Sequence, residues 1–188
     1  MHIALELFEP VDTTPVGRRI LDAASELFRE HGITATGVDS IVERAGTTKR
    51  TLYQRYGSKD RLVACYLQQR AHVWQGELLE ALTGASPAQA LDIVYRHTAQ
   101  WATGTPRGCA FVNAWAELGA SEHQAGNFVR AEKGWMLALF TQIAGGDEST
   151  GTLLHLLHEG AQVTASIQGD PQVFAQACAA SRELLVHR

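Results

Sequence analysis

Apolar residues recur at the three- and four-residue spacing of an α-helix along almost the whole chain, and nothing in it reads as a strand. The first such segment, residues 15–31, has an apolar stripe of four residues: Ile20, Ala24, Leu27 and Phe28. Thr14 can cap this helix, Pro15 suits its first position, and Gly32 suits a left-handed stop. The pattern predicts an all-α protein of about nine helices.

The remaining helices are predicted from the same spacing and from capping residues. Their approximate ranges are 38–45, 48–56, 58–82, 86–102, 109–119, 122–144, 150–168 and 171–187. Residues 103–108, "TGTPRG", form a loop. We assign residues 1–14 to an arm that is mobile or packed on the body, residues 15–58 to a three-helix domain, and residues 59–188 to a larger helical body.

Composition limits the class of protein. The 188 residues suffice for one compact domain or a small domain joined to a larger one, and 45% of them are hydrophobic, which argues against disorder. No apolar run approaches the roughly 20 residues of a membrane helix. The start, "MHIALELFEP", lacks the basic region of a signal peptide. We therefore expect a soluble, cytoplasmic protein that does not bind membranes.

Charge is distributed unevenly along the chain. The formal net charge is −4 overall, but it is −3 for residues 1–15, +3 for residues 16–61 and −4 for residues 62–188. Five cations lie within "GTTKRTLYQRYGSKDRL", residues 46–62, against one acid, Asp60. A basic segment on an acidic body suggests that this segment alone meets a polyanion, although a solvated basic face would show the same pattern.

The two short helices at 38–45 and 48–56 are separated by a turn containing Gly46, which is the arrangement of a helix-turn-helix. The second helix has only two inward-facing residues, Leu52 and Tyr56, and no acid from residue 47 to residue 58. Its other faces carry mostly hydrogen-bond donors: Thr48, Lys49, Arg50, Thr51, Tyr53, Gln54 and Arg55. This composition suits a major groove lined with phosphates and base edges. Short helix pairs also occur in proteins that do not bind DNA.

Three motifs, "AASELFREHG", "VDSIVERAG" and "TLYQRYGSKDRL", carry a resemblance to a known family. Residues 20–62 closely resemble the DNA-binding domain of the TetR family of one-component transcriptional regulators. Residues 63–188 are similar to that family in helix count and length only, as its variable effector domain would be. "RGCAFVNAWAEL" is similar to a stretch in one broad subgroup of the family, but it names no ligand.

The resemblance implies roles for individual residues. Four positions would face base edges: Thr48, Lys49, Arg50 and Gln54. Tyr53 would lie against the DNA backbone or a neighbouring base, with a packing tyrosine as the alternative. Arg55 and Lys59 would contact phosphates.

One departure from the family pattern lies ahead of the second helix. The family often has a Thr pair there, whereas this chain has Thr36 and Gly37. Gly37 can still cap the helix and offer its backbone N–H, but one phosphate-binding hydroxyl is missing. We retain both residues as candidate DNA contacts, and Thr36 with Asp39 resembles a capping box.

The four tryptophans fall on the fourth to seventh helices, with polar residues within a turn of three of them. A mostly apolar cavity with a few polar groups is what a small-molecule site needs, and the resemblance implies such a cavity between these helices. We predict an effector pocket of eight residues: His72, Trp74, His97, Trp101, Phe111, Asn113, Trp115 and Trp135. Aromatic residues that only fill a core are the alternative.

No motif predicts a metal centre or an enzyme. "HLLHEG" brings His155, His158 and Glu159 onto one helix, but it matches neither HExxH nor HxxEH, so we expect exposed or interface histidines and no metal. No nucleophile, base and orienting group appear at motif spacing, and no phosphate-binding loop is present. We expect no catalytic residues and no cofactor.

The three cysteines, Cys65, Cys109 and Cys178, are too far apart for a CxxC zinc site, and their odd number argues against a disulfide framework. We expect reduced thiols, mostly buried. Cys109 opens the sixth helix, where the helix dipole could lower its pKa, so a redox role stays open.

Together, these patterns and the family resemblance predict a homodimeric, ligand-responsive transcriptional repressor that binds a palindromic operator in double-stranded DNA and is released by a small, largely apolar effector. The last two helices are rich in small and leucine residues and are predicted to pair with their symmetry mates. The predicted interface residues are Leu153, Leu156, Leu157, Gly160, Ala161, Phe174, Ala177, Ser181 and Leu184. A small helical enzyme or carrier, and a module that binds a protein partner, are the alternatives; the first leaves the acid-free helix unexplained.

Overall fold

The computed structural model describes residues 3–103, 107–119 and 123–186. Within these ranges the chain forms nine α-helices and no strands, which confirms the predicted all-α class. The helices are α1 (Pro15–His31), α2 (Val38–Arg44), α3 (Lys49–Tyr56), α4 (Lys59–Ala81), α5 (Pro87–Thr103), α6 (Ala110–Leu118), α7 (Gln124–Ile143), α8 (Glu148–Gln168) and α9 (Gln172–Val186). The predicted loop at 103–108, helix start at 122 and helix end at 187 lie wholly or partly outside the described residues.

Local capping explains where the helices begin and end. The Thr14 hydroxyl accepts a hydrogen bond from the N–H of Gly17 at the start of α1, and Gly32 ends that helix with a φ of 91°. At the start of α5, Ser86 and Gln89 each accept from the other's backbone N–H, at 3.4 and 2.9 Å, which confirms the predicted capping box. Helix α8 begins two residues earlier than predicted.

The chain divides into two compact units. The first comprises the described residues of Met1–Leu7, Trp74–Cys109 and Glu132–Arg188; the second comprises those of Phe8–Val73 and Ala110–Ala131. Helix α4 contributes Lys59–Val73 to the second unit and Trp74–Ala81 to the first. The predicted domain boundaries at residues 14 and 58 stay predictions.

The first unit is built around helices α5, α8 and α9, which pack on one another. Its core is apolar and includes Leu139, Phe140 and Leu154, each fully buried. Tyr95 and Ser181 add a buried hydrogen bond between their hydroxyls at 2.8 Å, and burial raises the pKa of Tyr95 to about 12. The phenol therefore stays protonated at neutral pH.

The N-terminal arm is hydrogen-bonded within each unit. In the first unit, Ala4 exchanges two hydrogen bonds with the Gln142 side chain, and the Trp135 indole donates to the Glu6 carbonyl at 2.9 Å. In the second, the Phe8 carbonyl lies 2.7 Å from Nδ1 of His72. Of the two alternatives for the arm, these contacts favour the packed one.

No described helix is both long enough and apolar enough to cross a membrane.

Candidate nucleic-acid interface

Helix α3 is held in the second unit by the two inward residues that its sequence predicts. Leu52 is fully buried and Tyr56 is 5% exposed. The Tyr56 hydroxyl donates to the Gly17 carbonyl at 2.8 Å and thereby ties the end of α3 to the first turn of α1. Helices α1, α2 and α3 all pack on one another. The predicted helix-turn-helix is therefore a packed three-helix element, and α3 has a fixed orientation in it.

The opposite face of α3 is open to solvent. The Thr48 hydroxyl caps the helix by accepting from the Thr51 N–H at 3.2 Å. Five side chains beyond this cap are exposed: Lys49, Arg50, Tyr53, Gln54 and Arg55. Tyr53 is 47% exposed, which argues against the alternative role of a packing tyrosine. Exposed donor side chains on a helix without acids can donate hydrogen bonds to base edges and to phosphates.

An acid from the neighbouring helix nevertheless reaches this face. Lys49 Nζ lies 2.7 Å from Oδ1 of Asp39, in the first turn of α2, and both side chains are solvent-exposed. The hydrogen bond and the negative charge of Asp39 raise the pKa of Lys49. Sequence spacing does not predict this ion pair, because its two residues lie on separate helices.

The residues ahead of α2 differ from the prediction. Gly37, not Thr36, is the N-cap, so the capping box expected from Thr36 and Asp39 is wrong. Thr36 is 2% exposed, and its hydroxyl is 2.6 Å from the Gly32 carbonyl, to which it donates. A buried hydroxyl that is already bonded argues against a phosphate contact through Thr36, whereas Gly37 is exposed.

Lys59, which is predicted to contact phosphate, is the first residue of α4. The preceding Ser58 caps this helix, because its hydroxyl accepts from the Arg61 N–H at 3.1 Å. The Lys59 ammonium donates to the Ile33 carbonyl at 2.6 Å, and burial lowers its pKa. A lysine ammonium has three donors, so two remain for other acceptors. Lys59 is therefore a fixed cation at the α1–α2 turn.

The eight residues of the predicted effector pocket are divided between the two units. Four of them form an aromatic cluster within the first unit: Trp74, His97, Trp101 and Trp135. His97 lies between two of these rings, with centroid distances of 5.3 Å to Trp74 and 6.0 Å to Trp101, and Trp74 is 6.2 Å from Trp135. The Trp101 indole donates to Glu77 at 3.0 Å, and burial lowers the pKa of His97. This cluster thus combines aromatic rings with a few hydrogen-bonding groups.

The other four residues, His72, Phe111, Asn113 and Trp115, belong to the second unit. Phe111 is buried at 6% exposure, whereas Trp115 is 43% exposed and has the Arg130 guanidinium 4.8 Å above its ring. The imidazole of His72 faces the arm through the Phe8 carbonyl. The eight residues of the predicted effector pocket thus fall into two groups, one in each unit.

The predicted dimer residues on α8 and α9 do not share one face. Three of them point into the first unit: Ala161 and Phe174 are 4% exposed, and Ser181 is fully buried. They cannot form an intermolecular contact, so that part of the prediction is wrong. The outer face of α8 instead exposes Leu153, Leu156, Val163 and Ile167, the last at 80%. Val163 and Ile167 continue the same helical spacing but are not among the predicted residues.

Of the two histidines of "HLLHEG", His158 is buried and His155 is half-buried, contrary to the expectation of exposed or interface residues. His158 is 2% exposed, and its Nε2 lies 2.9 Å from the Thr98 hydroxyl. Beside it, Lys133 on α7 forms an ion pair with Glu159 on α8 at 2.9 Å and lies 3.4 Å from Glu132. In the described part of the chain, no group of three or more His, Cys, Asp or Glu residues could hold a metal ion.

The pKa values in this cluster follow from burial and charge. Burial alone would raise the pKa of Glu159, but the His158 imidazole and the Lys133 ammonium lower it to about 2. Burial opposes the charge on Lys133, but the neighbouring Cys109, Glu132 and Glu159 outweigh it and raise its pKa. Both members of the ion pair are therefore charged at neutral pH.

The cysteines carry no disulfide. Cys178 is buried, whereas Cys65 and Cys109 are half-buried, so the thiols are less buried than expected. Cys178 Sγ donates to Asp92 at 3.3 Å, and burial with the Asp92 charge raises the pKa of Cys178 to about 11. Cys109 Sγ lies 3.9 Å from the Lys133 ammonium.

Comparisons with known proteins agree with this geometry. The family profile "Bacterial regulatory proteins, tetR family" matches residues 20–65. The HTH-type transcriptional activator FasR of Mycolicibacterium smegmatis is 46% identical over 50 residues, which are 27% of this chain and 23% of FasR. The HTH-type transcriptional regulator YvkB of Bacillus subtilis is 34% identical over 70 residues, which are 37% of this chain and 36% of YvkB. The alignments thus span well under half of these relatives.

Solved structures extend the similarity to nearly the whole chain. SCO4454, a TetR-family transcriptional regulator from Streptomyces coelicolor, superposes with a TM-score of 0.82 at 28% identity, over 96% of this chain and 97% of that one. The reduced form of NemR from Escherichia coli shares the fold, with a TM-score of 0.79 at 18% identity over 91% of this chain and 98% of NemR. The motifs of the N-terminal helices and the fold over nearly all of the chain lead to one assignment: the chain belongs to the TetR family of transcriptional regulators.

Proposed function

We propose that this protein acts in the cytoplasm as a homodimeric repressor that binds a palindromic operator and is released by a small, largely apolar effector. The observation that carries the proposal is the outer face of α3. That face exposes Arg50, Tyr53, Gln54 and Arg55, while Leu52 and Tyr56 anchor the helix from behind. A rigid helix with exposed donors and no acid of its own suits the major groove, where guanine and adenine present acceptors.

Selection of bound duplexes from a random-sequence pool tests the DNA-binding step. A palindromic motif with half-sites about one helical turn apart is the expected result, because the two α3 helices of a symmetric dimer repeat the same contacts. A matched control is Glu26→Gln, which changes a charge on α1 and none on α3. A protein that retains no duplex, or that binds one half-site as tightly as the palindrome, would contradict the proposal.

The dimer is proposed to form through the outer face of α8. Leu153, Leu156, Gly160, Val163 and Ile167 are spaced three and four residues apart, and all are exposed within the chain. A contiguous apolar stripe of this kind is typical of a helical interface that a second copy covers. Ala177 and Leu184 on α9 and Leu157 on α8 are half-buried and would flank the stripe.

The effector is proposed to bind at the aromatic cluster of Trp74, His97, Trp101 and Trp135 in the first unit. Helix α4 would couple binding to DNA release, because Lys59 and Trp74 lie on the same continuous helix, roughly 22 Å apart at about 1.5 Å per residue. A displacement at Trp74 would then alter the position of the helix start beside α3.

Tryptophan fluorescence tests this coupling, since two of the cluster's tryptophans adjoin His97. A panel of apolar compounds with one or two hydrogen-bonding groups is titrated with and without the selected operator. Coupling between sites is reciprocal, so operator DNA should weaken effector binding by the same factor by which the effector weakens DNA binding, typically about 5- to 150-fold. Equal affinities in the two titrations would exclude allosteric release.

Repression and activation need a separate test, because FasR, one of the similar proteins, is named as an activator. Transcription in vitro from a template that contains the selected operator distinguishes the two. Repression predicts that transcript falls as protein is added and returns with the effector. A rise in transcript on adding protein would assign an activator.

A further inference from the structure

The ion pair between Asp39 and Lys49 joins the first turn of α2 to the first residue of α3 at 2.7 Å. The two side chains are 81% and 54% exposed, respectively. Exposed ion pairs contribute little to stability, because water and salt screen them and both side chains lose freedom. The pair thus has little value for the fold, yet it brings a carboxylate to the acid-free face of α3.

A carboxylate at this place has a consequence for DNA binding. The four-carbon stem of a lysine lets its ammonium reach many acceptors, and phosphates occur at every base step whatever the sequence. Asp39 competes with phosphates for the Lys49 ammonium, and a phosphate drawn to Lys49 would place two anions side by side. A neutral base edge does not meet this repulsion. The Asp39–Lys49 pair therefore disfavours a phosphate contact by Lys49, which would carry no sequence information.

The pair also matches one base pair in chemistry. In the major groove a G·C pair presents the guanine O6 and N7 acceptors beside the cytosine N4 donor. The Lys49 ammonium has three donors, so it can keep its bond to Asp39 and donate to guanine as well. The Asp39 carboxylate can accept from the cytosine amino group. An A·T pair also presents an acceptor, adenine N7, beside a donor, but only guanine offers the ammonium two adjacent acceptors.

We propose that Asp39 is a specificity-determining residue, which holds the Lys49 ammonium away from phosphates and with it reads a G·C pair in each half-site. The inference rests on the proposed DNA binding and adds a residue from α2 to the recognition surface of α3.

Asp39→Asn tests the inference, because it removes the charge and keeps the shape. Two quantities are measured by fluorescence anisotropy: the ratio of affinities for the selected operator and for a random duplex, and the slope of log affinity against log salt. The ratio should fall at least about fivefold, the lower limit of discrimination by a good base contact. The slope should steepen by about 1 per protomer, because the freed ammonium takes a phosphate.

Two further variants separate this role from others. Glu26→Gln removes the same charge from an acid that pairs with Arg44 at 3.1 Å in the same three-helix element, and it should leave both quantities at their wild-type values. Lys49→Met should lose the G·C preference without steepening the slope, since no freed ammonium is left. Equal effects of Asp39→Asn and Glu26→Gln would overturn the inference by showing a general charge effect.

The selection experiment distinguishes failure of the inference from failure of the proposed function. If the wild-type protein selects a palindrome and Asp39→Asn selects the same motif with the same ratio and slope, DNA binding stands and the role of Asp39 is refuted. If the wild-type protein selects no duplex at all, the proposed function fails and the inference falls with it. A G·C position that degenerates in both Asp39→Asn and Lys49→Met supports the inference.

Discussion

Replacing Lys133 by methionine should destabilise the protein far more than removing a surface cation does. The Lys133 ammonium lies 2.9 Å from Glu159 and 3.4 Å from Glu132, and the side chains of Lys133 and Glu159 are only 22% and 23% exposed. Methionine fills a similar volume, so the substitution removes the charge and opens little cavity. It leaves two carboxylates close together with no cation and little water between them.

The magnitude follows from the pKa of Glu159. Its value of about 2 lies about 2.5 units below the ordinary 4.5, and at about 1.4 kcal/mol per unit the carboxylate contributes about 3 kcal/mol at neutral pH. His158 shares in this shift, but breaking a buried pair by removing one partner typically costs about 3–5 kcal/mol. We therefore expect Lys133→Met to lower the free energy of unfolding by about 3 kcal/mol.

The assay is urea unfolding followed by circular dichroism at fixed protein concentration, since dimerisation would add to stability. The matched control is Arg44→Met, which breaks an exposed pair with Glu26 and should cost about 0–1 kcal/mol. Because the folded pKa of Glu159 is depressed, its contribution is complete above pH 4.5 and is lost as the pH falls towards 2. The gap between the wild-type protein and Lys133→Met should close over that range. An equal cost for the two variants at neutral pH would refute the reasoning.

Three other outcomes are expected. Arg50→Ala should weaken operator binding by about 1–3 kcal/mol and relax selectivity at one position of each half-site; an unchanged motif in the duplex selection would assign Arg50 to phosphates. Leu156→Glu should leave the protomer folded, since Leu156 is 60% exposed, but it should dissociate the dimer by burying like charges at the interface. A dimer that survives in sedimentation would exclude the α8 stripe as the dimer interface. Burial lowers the pKa of both His155 and His158. Below pH 6.5 the unfolded chain therefore binds protons at these histidines that the folded chain does not bind. The free energy of unfolding should thus be highest above pH 6.5 and decline as the pH falls below it. The urea midpoint should follow that decline, and His158→Gln should flatten it; a midpoint that does not change below pH 6.5 would contradict this assignment.

Much of the local structure was predictable because its causes lie within a few residues of one another. Thr14, Pro15 and Gly32 delimit α1 at the predicted residues, and Ser86 with Gln89 forms the predicted capping box. The inward positions of Leu52 and Tyr56 follow from their four-residue spacing on a short helix whose other residues, apart from Tyr53, are polar. In such a helix only one face can be buried, so periodicity alone decides its orientation.

The sequence left open which face of some helices, and which side of some polar side chains, is buried. Tertiary contacts decided these orientations. Helix α8 has apolar residues on two faces, and its packing on α5 and α9 buries Leu154 and Ala161 while Leu156 stays outside. The Thr36 hydroxyl donates to the Gly32 carbonyl rather than to solvent, because carbonyls at the end of a helix have no partner within the helix.

By itself, then, the sequence determined the helices and most of their caps, since each depends on neighbours along the chain, and it carried the motifs of the family. Only the tertiary structure decided the pairs formed between helices, such as Lys133 with Glu159 and Lys49 with Asp39. Members of such pairs are distant in sequence or lie on separate helices, and helical spacing carries no information about which helix packs beside another. Burial, and with it the depressed pKa of Glu159, follows from that packing.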